Sequence, residues 1–191
     1  IDGMELKARH ILFAAGARPV ALGIPGDGHV ITSDDFLELD VLPERIAMVG
    51  GGYIAAELSH VAARAGAQVT VLQRSDRLLP QFDGDVVGWL MESFETLGID
   101  VRTRTAVQRI AKTAQGFVVY AAGADGQEQA IEVDLVVHAA GRTPDLDPLD
   151  LTAAGVETER GRLRLNEFLQ SVSNPRVYAA GDAAASGLPL T

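Results

Sequence analysis

The chain has 191 residues, 47% hydrophobic and 22% charged, which suffices for a buried core of one domain or one and a half and excludes disorder. Its 16 Lys and Arg are scattered among 26 Asp and Glu, and a net charge of −10 argues against nucleic acid as a partner. No cysteine is present, so a disulfide framework, a thiolate metal site and a redox thiol pair are excluded within it.

The apolar runs fall far short of the ~20 residues of a membrane helix, and the start, IDGMELKARH, is no signal peptide. The expectation is a soluble, cytoplasmic protein with no membrane partner and no metal site. The first residue is Ile and the closing SGLPLT has no helix stop, so both ends read as cut.

In chain order, residues 10–15 (HILFAA) form an apolar run ending at Gly16 and then Pro19, which predicts a buried strand entering a turn. A loop rich in Gly and Pro follows. Ser33-Asp34-Asp35-Phe36 then offers a Ser or Asp N-cap for a short helix that ends before Pro43. Residues 46–49 are the next strand, Gly50 to Gly52 permits a tight turn, and residues 53–65 predict an Ala-rich helix closed by Gly66.

Residues 69–72 supply a second strand, 83–97 an amphipathic helix with Gly98 as its stop, and 99–102 a third strand. This βαβαβ order predicts parallel strands joined by right-handed crossovers, half of a doubly wound fold. From 107 to 137 short alternating runs take over, broken by turns at Ala114-Gln115-Gly116 and Ala124-Asp125-Gly126-Gln127. Residues 118–121 and 130–137 read as strands of an antiparallel meander, able to cover one sheet face in place of a helix.

The spacing Gly50-x-Gly52-x-x-Ala55 between a strand and an uncapped helix start is a dinucleotide-binding pattern. Glycines let the backbone approach a pyrophosphate, whose charge meets free N–H groups and the positive end of the helix dipole. In this fold an acid at the end of the second strand accepts from the ribose 2′-hydroxyl of NAD. Here that place is Gln73, followed by Arg74 and then Arg77. No carboxylate blocks a 2′-phosphate and a guanidinium can hold one, so NADP(H) is preferred.

Three strands end alike, at Phe13-Ala14-Ala15-Gly16, His138-Ala139-Ala140-Gly141 and Tyr178-Ala179-Ala180-Gly181. Small residues at a strand's carboxyl end leave room for a flat or extended ligand.

The succession HILFAAGARP, SDDFLELDVLPERIAMVGGGYIAAE, RLLPQFD, HAAGRTPD and VYAAGDAA resembles the pyridine nucleotide-disulfide oxidoreductases, most closely their glutathione reductase and mercuric reductase branch. The resemblance implies a Rossmann-like NAD(P)-binding domain over residues 45–139, a parallel sheet plus meander. It implies flanking remnants of a split FAD-binding domain at 1–44 and 140–191. Gly50 and Gly52 would line the NADPH pyrophosphate, and Ile54 would be among the cofactor-binding residues. Tyr53 would be the lid over the flavin, against the reading of a ring that fills helix-start core. Glu57 would pair with a lysine not in this chain, or is a solvated helix acid.

Arg74 would hold the 2′-phosphate. Pro80 stands where the glutathione reductase pattern has a second arginine, and Arg77 either substitutes or is neutralised by Asp76. Gly141 and Gly181 would border the cofactors, and Asp182 would accept from a ribityl hydroxyl of FAD. Leu190-Thr191 matches the start of a flavin-contacting Leu-Thr-Pro segment.

The resemblance implies a parent oxidoreductase, a homodimer, that passes hydride from NADPH to FAD and electrons on to a cysteine pair and a disulfide or mercuric ion. The cysteine pair and the His-Glu acid-base pair would lie outside this chain, so no residue here is expected to be catalytic. Two other readings stand: a ferredoxin or rubredoxin reductase-type flavoprotein, and a non-catalytic dinucleotide-binding module.

Overall fold

The computed structural model describes residues 5–187, so the expectation for Leu190-Thr191 falls outside the described residues. In chain order the strands and helices are β1 (Ile11–Phe13), β2 (Ala17–Pro19), α1 (Ser33–Leu37), β3 (Arg45–Val49), α2 (Tyr53–Arg64), β4 (Gln68–Leu72), α3 (Gly84–Thr96) and β5 (Asp100–Arg102). There follow β6 (Ala106–Thr113), β7 (Gly116–Ala122), β8 (Glu128–Val133), β9 (Leu135–His138), β10 (Arg142–Pro144), β11 (Thr158–Glu159), β12 (Arg162–Leu163) and β13 (Val177–Ala179). The chain divides into two compact units, residues 1–20 with 142–191, and residues 21–141. Among the described residues no helix is long and apolar enough to cross a membrane.

The 21–141 unit is built on a parallel sheet in the order β5-β4-β3-β9. One face carries the helices: Ala55, Ala62, Val87 and Phe94 pack with Ile46, Met48 and Val71 in a core that also takes in Phe36 of α1. The other face is covered by the antiparallel meander β6-β7-β8, whose Ile110, Val119, Ile131 and Val133 pack on Ala47, Val49, Leu72 and Val136. A sheet buried on both faces needs unbroken apolar strands, and Ile46 to Val49 are all buried. Residues 21–44 pack here as well, with the Ile31 N–H donating to Val136 O at 3.0 Å.

Helix ends follow local chemistry. The Asp83 carboxylate accepts from the Asp85 N–H at 2.9 Å and caps α3, which ends at Gly98 in the left-handed region, φ +72. The expected Ser or Asp N-cap of α1 is corrected to Thr32. Its hydroxyl accepts from the Asp35 N–H while the Asp35 carboxylate accepts from the Thr32 N–H at 2.8 Å, a reciprocal box.

Two further expectations are corrected. Residues 130–137 are not one meander strand. The chain turns over at Asp134, so that β8 pairs antiparallel with β7 while β9 runs parallel beside β3. The cause is a clamp: the Arg45 N–H donates to Asp134 Oδ2 at 2.9 Å, the Arg45 guanidinium to Oδ1 at 2.6 Å, and the Asp134 N–H to Arg45 O at 2.9 Å. Second, residues 10–15 are not buried. Ile11 and Leu12 are 49% and 61% exposed, because β1 pairs only with β13 among the described residues and only its Phe13 packs against a buried cluster.

The clamp has a pH signature. Hydrogen bonding from the Arg45 guanidinium holds the Asp134 carboxyl below its ordinary 3.8. A depressed folded pKa contributes stability in full above the unfolded value and loses it as pH falls through the folded one. Asp134→Asn is expected to lower the urea midpoint at neutral pH. It should also flatten the fall of that midpoint as pH drops below 3.8, read by far-UV circular dichroism. An unchanged acid profile would show that the clamp contributes nothing.

The other unit holds three two-stranded pairings: β1 parallel to β13, β2 antiparallel to β10, and β11 antiparallel to β12. Leu146, Val156, Leu163, Val177, Ala179 and Ala184 form its core.

Candidate dinucleotide-binding site

The three glycines after β3 serve three separate ends. Gly50 has φ +113, and a Cβ there would overlap the Ala139 carbonyl oxygen and lie 2.7 Å from the Ala140 Cα. Its N–H donates to Leu72 O at 2.9 Å, tying the turn to the end of β4. A Cβ on Gly51 would overlap Leu78 Cδ2 and stand 2.9 Å from the Gln73 side chain. Gly50 and Gly51 are therefore required by the chain's own packing. Gly52 is different. It sits at φ −82, and the only atom within 4 Å of an added Cβ is Ala139 O at 3.8 Å.

Gly52 is also the N-cap of α2, where no side chain caps the helix and no acid occupies the first turn. The positive end of the dipole of this twelve-residue helix thus meets no side-chain cap and no acid of its own first turn. Ala55, the third position of the motif, is fully buried and lets α2 lie close on the sheet. Tyr53 and Ile54 are half-buried and pack against the helix-side core, and Glu57, one turn on, is exposed.

Because β4, β3 and β9 are parallel, their carboxyl ends lie along one edge of the sheet. That edge carries Arg74 after β4, the glycine turn after β3, and Gly141, exposed with φ +114, after β9. The chain leaves β3 toward β4 and β5 on one side and returns on the other as β9, so the turn sits at a reversal of strand order.

Past β4, the buried Gln73 amide donates to Ser75 Oγ at 2.6 Å and to Arg77 O at 3.2 Å, folding its loop inward. Sequence reading assigned Gln73 only the lack of an acid; its work as a loop staple had no signal there. Arg77 donates to Pro80 O at 2.6 Å and Phe82 O at 2.9 Å and makes no ion pair with Asp76. Arg74 is exposed and makes no hydrogen bond or ion pair among the described residues.

In the other unit, β1 and β13 run side by side and exit at Gly16 and Gly181, both with positive φ and with open space where a Cβ would stand. Gly181 begins a short 3-10 turn, Gly181–Ala184, in which Asp182 is half-buried. The structure thus gathers Gly50, Gly52, Tyr53, Ile54, Arg74 and Gly141 on one sheet edge and holds Gly181 and Asp182 in the second unit.

A strand, glycine turn and uncapped helix at the reversal point of a parallel sheet define a doubly wound α/β protein with the ligand-site geometry of that class. The family model described as pyridine nucleotide-disulphide oxidoreductase matches residues 2–191, and the chain belongs to that family. It is 39% identical to a mercuric reductase of Staphylococcus aureus over 185 residues, covering 95% of this chain and 34% of that protein. It is 35% identical to a dihydrolipoyl dehydrogenase of Bacillus subtilis, covering 95% of this chain and 40% of that one. Among solved structures it is similar to the HOCl-induced flavoprotein disulfide reductase RclA from Escherichia coli, with TM-score 0.86, 28% identity, and coverage of 97% of this chain and 42% of that chain. The chain therefore spans well under half the length of each.

Proposed function

We propose that this chain is the NADPH-binding portion of a FAD-dependent disulfide or metal-ion reductase, with residues 45–139 holding the nicotinamide dinucleotide and residues 1–44 and 140–191 belonging to the FAD-binding part. The observation that carries the reading is Gly52. Among the described residues nothing needs a glycine there, and the position begins a helix with no side-chain cap, so the missing side chain suits a pyrophosphate drawn onto the first-turn N–H groups. The open Cβ space at Gly181 and the half-buried Asp182 beside it suit a flavin ribityl chain.

FAD, when bound, supplies hydride acceptance and onward electron transfer. This chain's residues bind and orient. Gly50 and Gly52 line the diphosphate, Ile54 contacts the coenzyme beside them, Arg74 recognises the 2′-phosphate, and Tyr53 is the lid that gives way to the nicotinamide. Gly141 leaves space at the neighbouring strand end, Asp182 accepts from a sugar hydroxyl, and Arg77 braces the loop behind Arg74. Glu57 pairs with a lysine supplied by the rest of the protein. With no cysteine in the chain, thiol chemistry belongs to the rest of the protein, which we take to be a cytoplasmic homodimer. Relatives named mercuric reductase and dihydrolipoyl dehydrogenase favour this reading over a ferredoxin reductase type or a non-catalytic module.

Calorimetric titration tests the reading. NADPH should bind this chain more tightly than NADH, and Arg74→Gln should raise the Kd for NADPH roughly tenfold with little effect on NADH, as expected for loss of a charged hydrogen bond. Equal affinities in the unaltered chain, or no binding up to millimolar coenzyme, would overturn it.

A further inference from the structure

The exit of β5 contributes a second arginine to the place where Arg74 stands. The Gln73 N–H donates to Arg102 O at 2.9 Å, the Thr105 N–H to Gln73 O at 2.9 Å, and the Arg104 N–H to Ser75 O at 2.7 Å. These bonds carry the contact of β4 with β5 past both strand ends, so the backbones of Arg74 and Arg104 are held in neighbouring, mutually bonded loops. Arg104 is exposed, and its side chain, like that of Arg74, makes no hydrogen bond or ion pair among the described residues. The other two arginines nearby are engaged: Arg102 pairs with Asp100 at 2.7 Å and donates to Gln129, and Arg77 holds carbonyls of its own loop.

Arg104 is also strained. Its φ of +51 lies in the left-handed region, where glycine or asparagine is the easy choice and a long charged side chain is not. Two open guanidiniums on adjacent loops, in a chain of net charge −10, form a local field for a compact dianion. Each presents a planar fork of donors suited to phosphate oxygens.

We propose that Arg104 is a specificity-determining residue for the 2′-phosphate of NADP(H), acting from the β5 side while Arg74 acts from the β4 side. The inference rests on the NADPH reading above and adds to it a residue that no spacing rule along the sequence singles out.

The test uses this chain with four probes: NADPH, NADH, and the fragments 2′,5′-ADP and 5′-AMP, which differ only in the 2′-phosphate. Arg104→Gln is expected to raise the Kd of NADPH and of 2′,5′-ADP roughly tenfold and to change NADH and 5′-AMP within about twofold. Arg104→Lys should restore part of the loss by keeping the charge without the fork. Arg104→Gly should lose phosphate discrimination as fully as the Gln variant while melting no lower than the unaltered chain, because glycine takes φ +51 without strain. That pairing separates phosphate contact from loop integrity.

If Arg104→Gln leaves the NADPH-to-NADH ratio unchanged, or weakens both alike, the assignment is wrong. If the unaltered chain prefers NADPH and Arg74→Gln alone abolishes the preference, the NADPH reading stands and Arg104 drops out. If the unaltered chain binds neither coenzyme, both fail together.

Discussion

Replacing Gly50 by alanine is expected to lower the stability of the fold by about 4 kcal/mol. The residue holds φ +113, far outside what an L-residue adopts without strain, at a cost of about 1–3 kcal/mol. The new Cβ would also overlap the Ala139 carbonyl, and that carbonyl cannot give way easily. Its residue is anchored to the central strand by the Ala139 N–H donating to Val49 O at 2.8 Å, so overpacking adds about 1–3 kcal/mol. A combined loss of about 4 kcal/mol removes much of a typical domain's ~5–15 kcal/mol. Gly52→Ala is the control: at φ −82 with 3.8 Å of clearance it should shift stability by no more than about 1 kcal/mol. Urea unfolding followed by circular dichroism checks both. A Gly50→Ala midpoint as high as that of Gly52→Ala would show that the turn tolerates what its geometry forbids.

Gly52→Asp is expected to raise stability and abolish coenzyme binding in the same protein. Aspartate is a preferred N-cap, the backbone there is already extended at φ −82 and ψ −173, and α2 has neither a side-chain cap nor a first-turn acid. The carboxylate should add up to about 1 kcal/mol by accepting a first-turn N–H and meeting the helix dipole. The same carboxylate would occupy the diphosphate's donors and repel its charge. A fall of roughly 100-fold in NADPH affinity, about 2.7 kcal/mol, is expected. Thermal melts with and without NADPH read both signs at once: a higher melting temperature alone, and no further rise with coenzyme. A variant that is stabilised yet still binds NADPH would place the diphosphate somewhere other than the start of α2.

Local pattern made much of this architecture readable. The run of buried residues in β3, the glycine turn, the Ala-rich α2 and the Asp83-capped α3 ending at Gly98 are each written in a few adjacent residues. The same holds for a meander replacing a helical layer, since alternating short runs between turns have few other solutions. What failed was local in appearance and distant in cause. Residues 130–137 look like one strand, and only Arg45, remote along the chain, divides them at Asp134. The apolar run at 11–13 looks like a core strand, and only the count of its neighbours leaves Ile11 and Leu12 exposed.

The sequence by itself determined the order of strands and helices, the place of the glycine turn and the absence of an acid after β4, because periodicity, backbone freedom and side-chain charge act over a few bonds. Only the tertiary structure decided which glycine answers to packing and which stands open. It alone set Gly50 against Ala139 and left Gly52 clear, and it alone brought the Arg104 loop against the Arg74 loop. Steric room and the proximity of charges depend on what the fold brings from elsewhere in the chain, and no window of neighbouring residues holds that information.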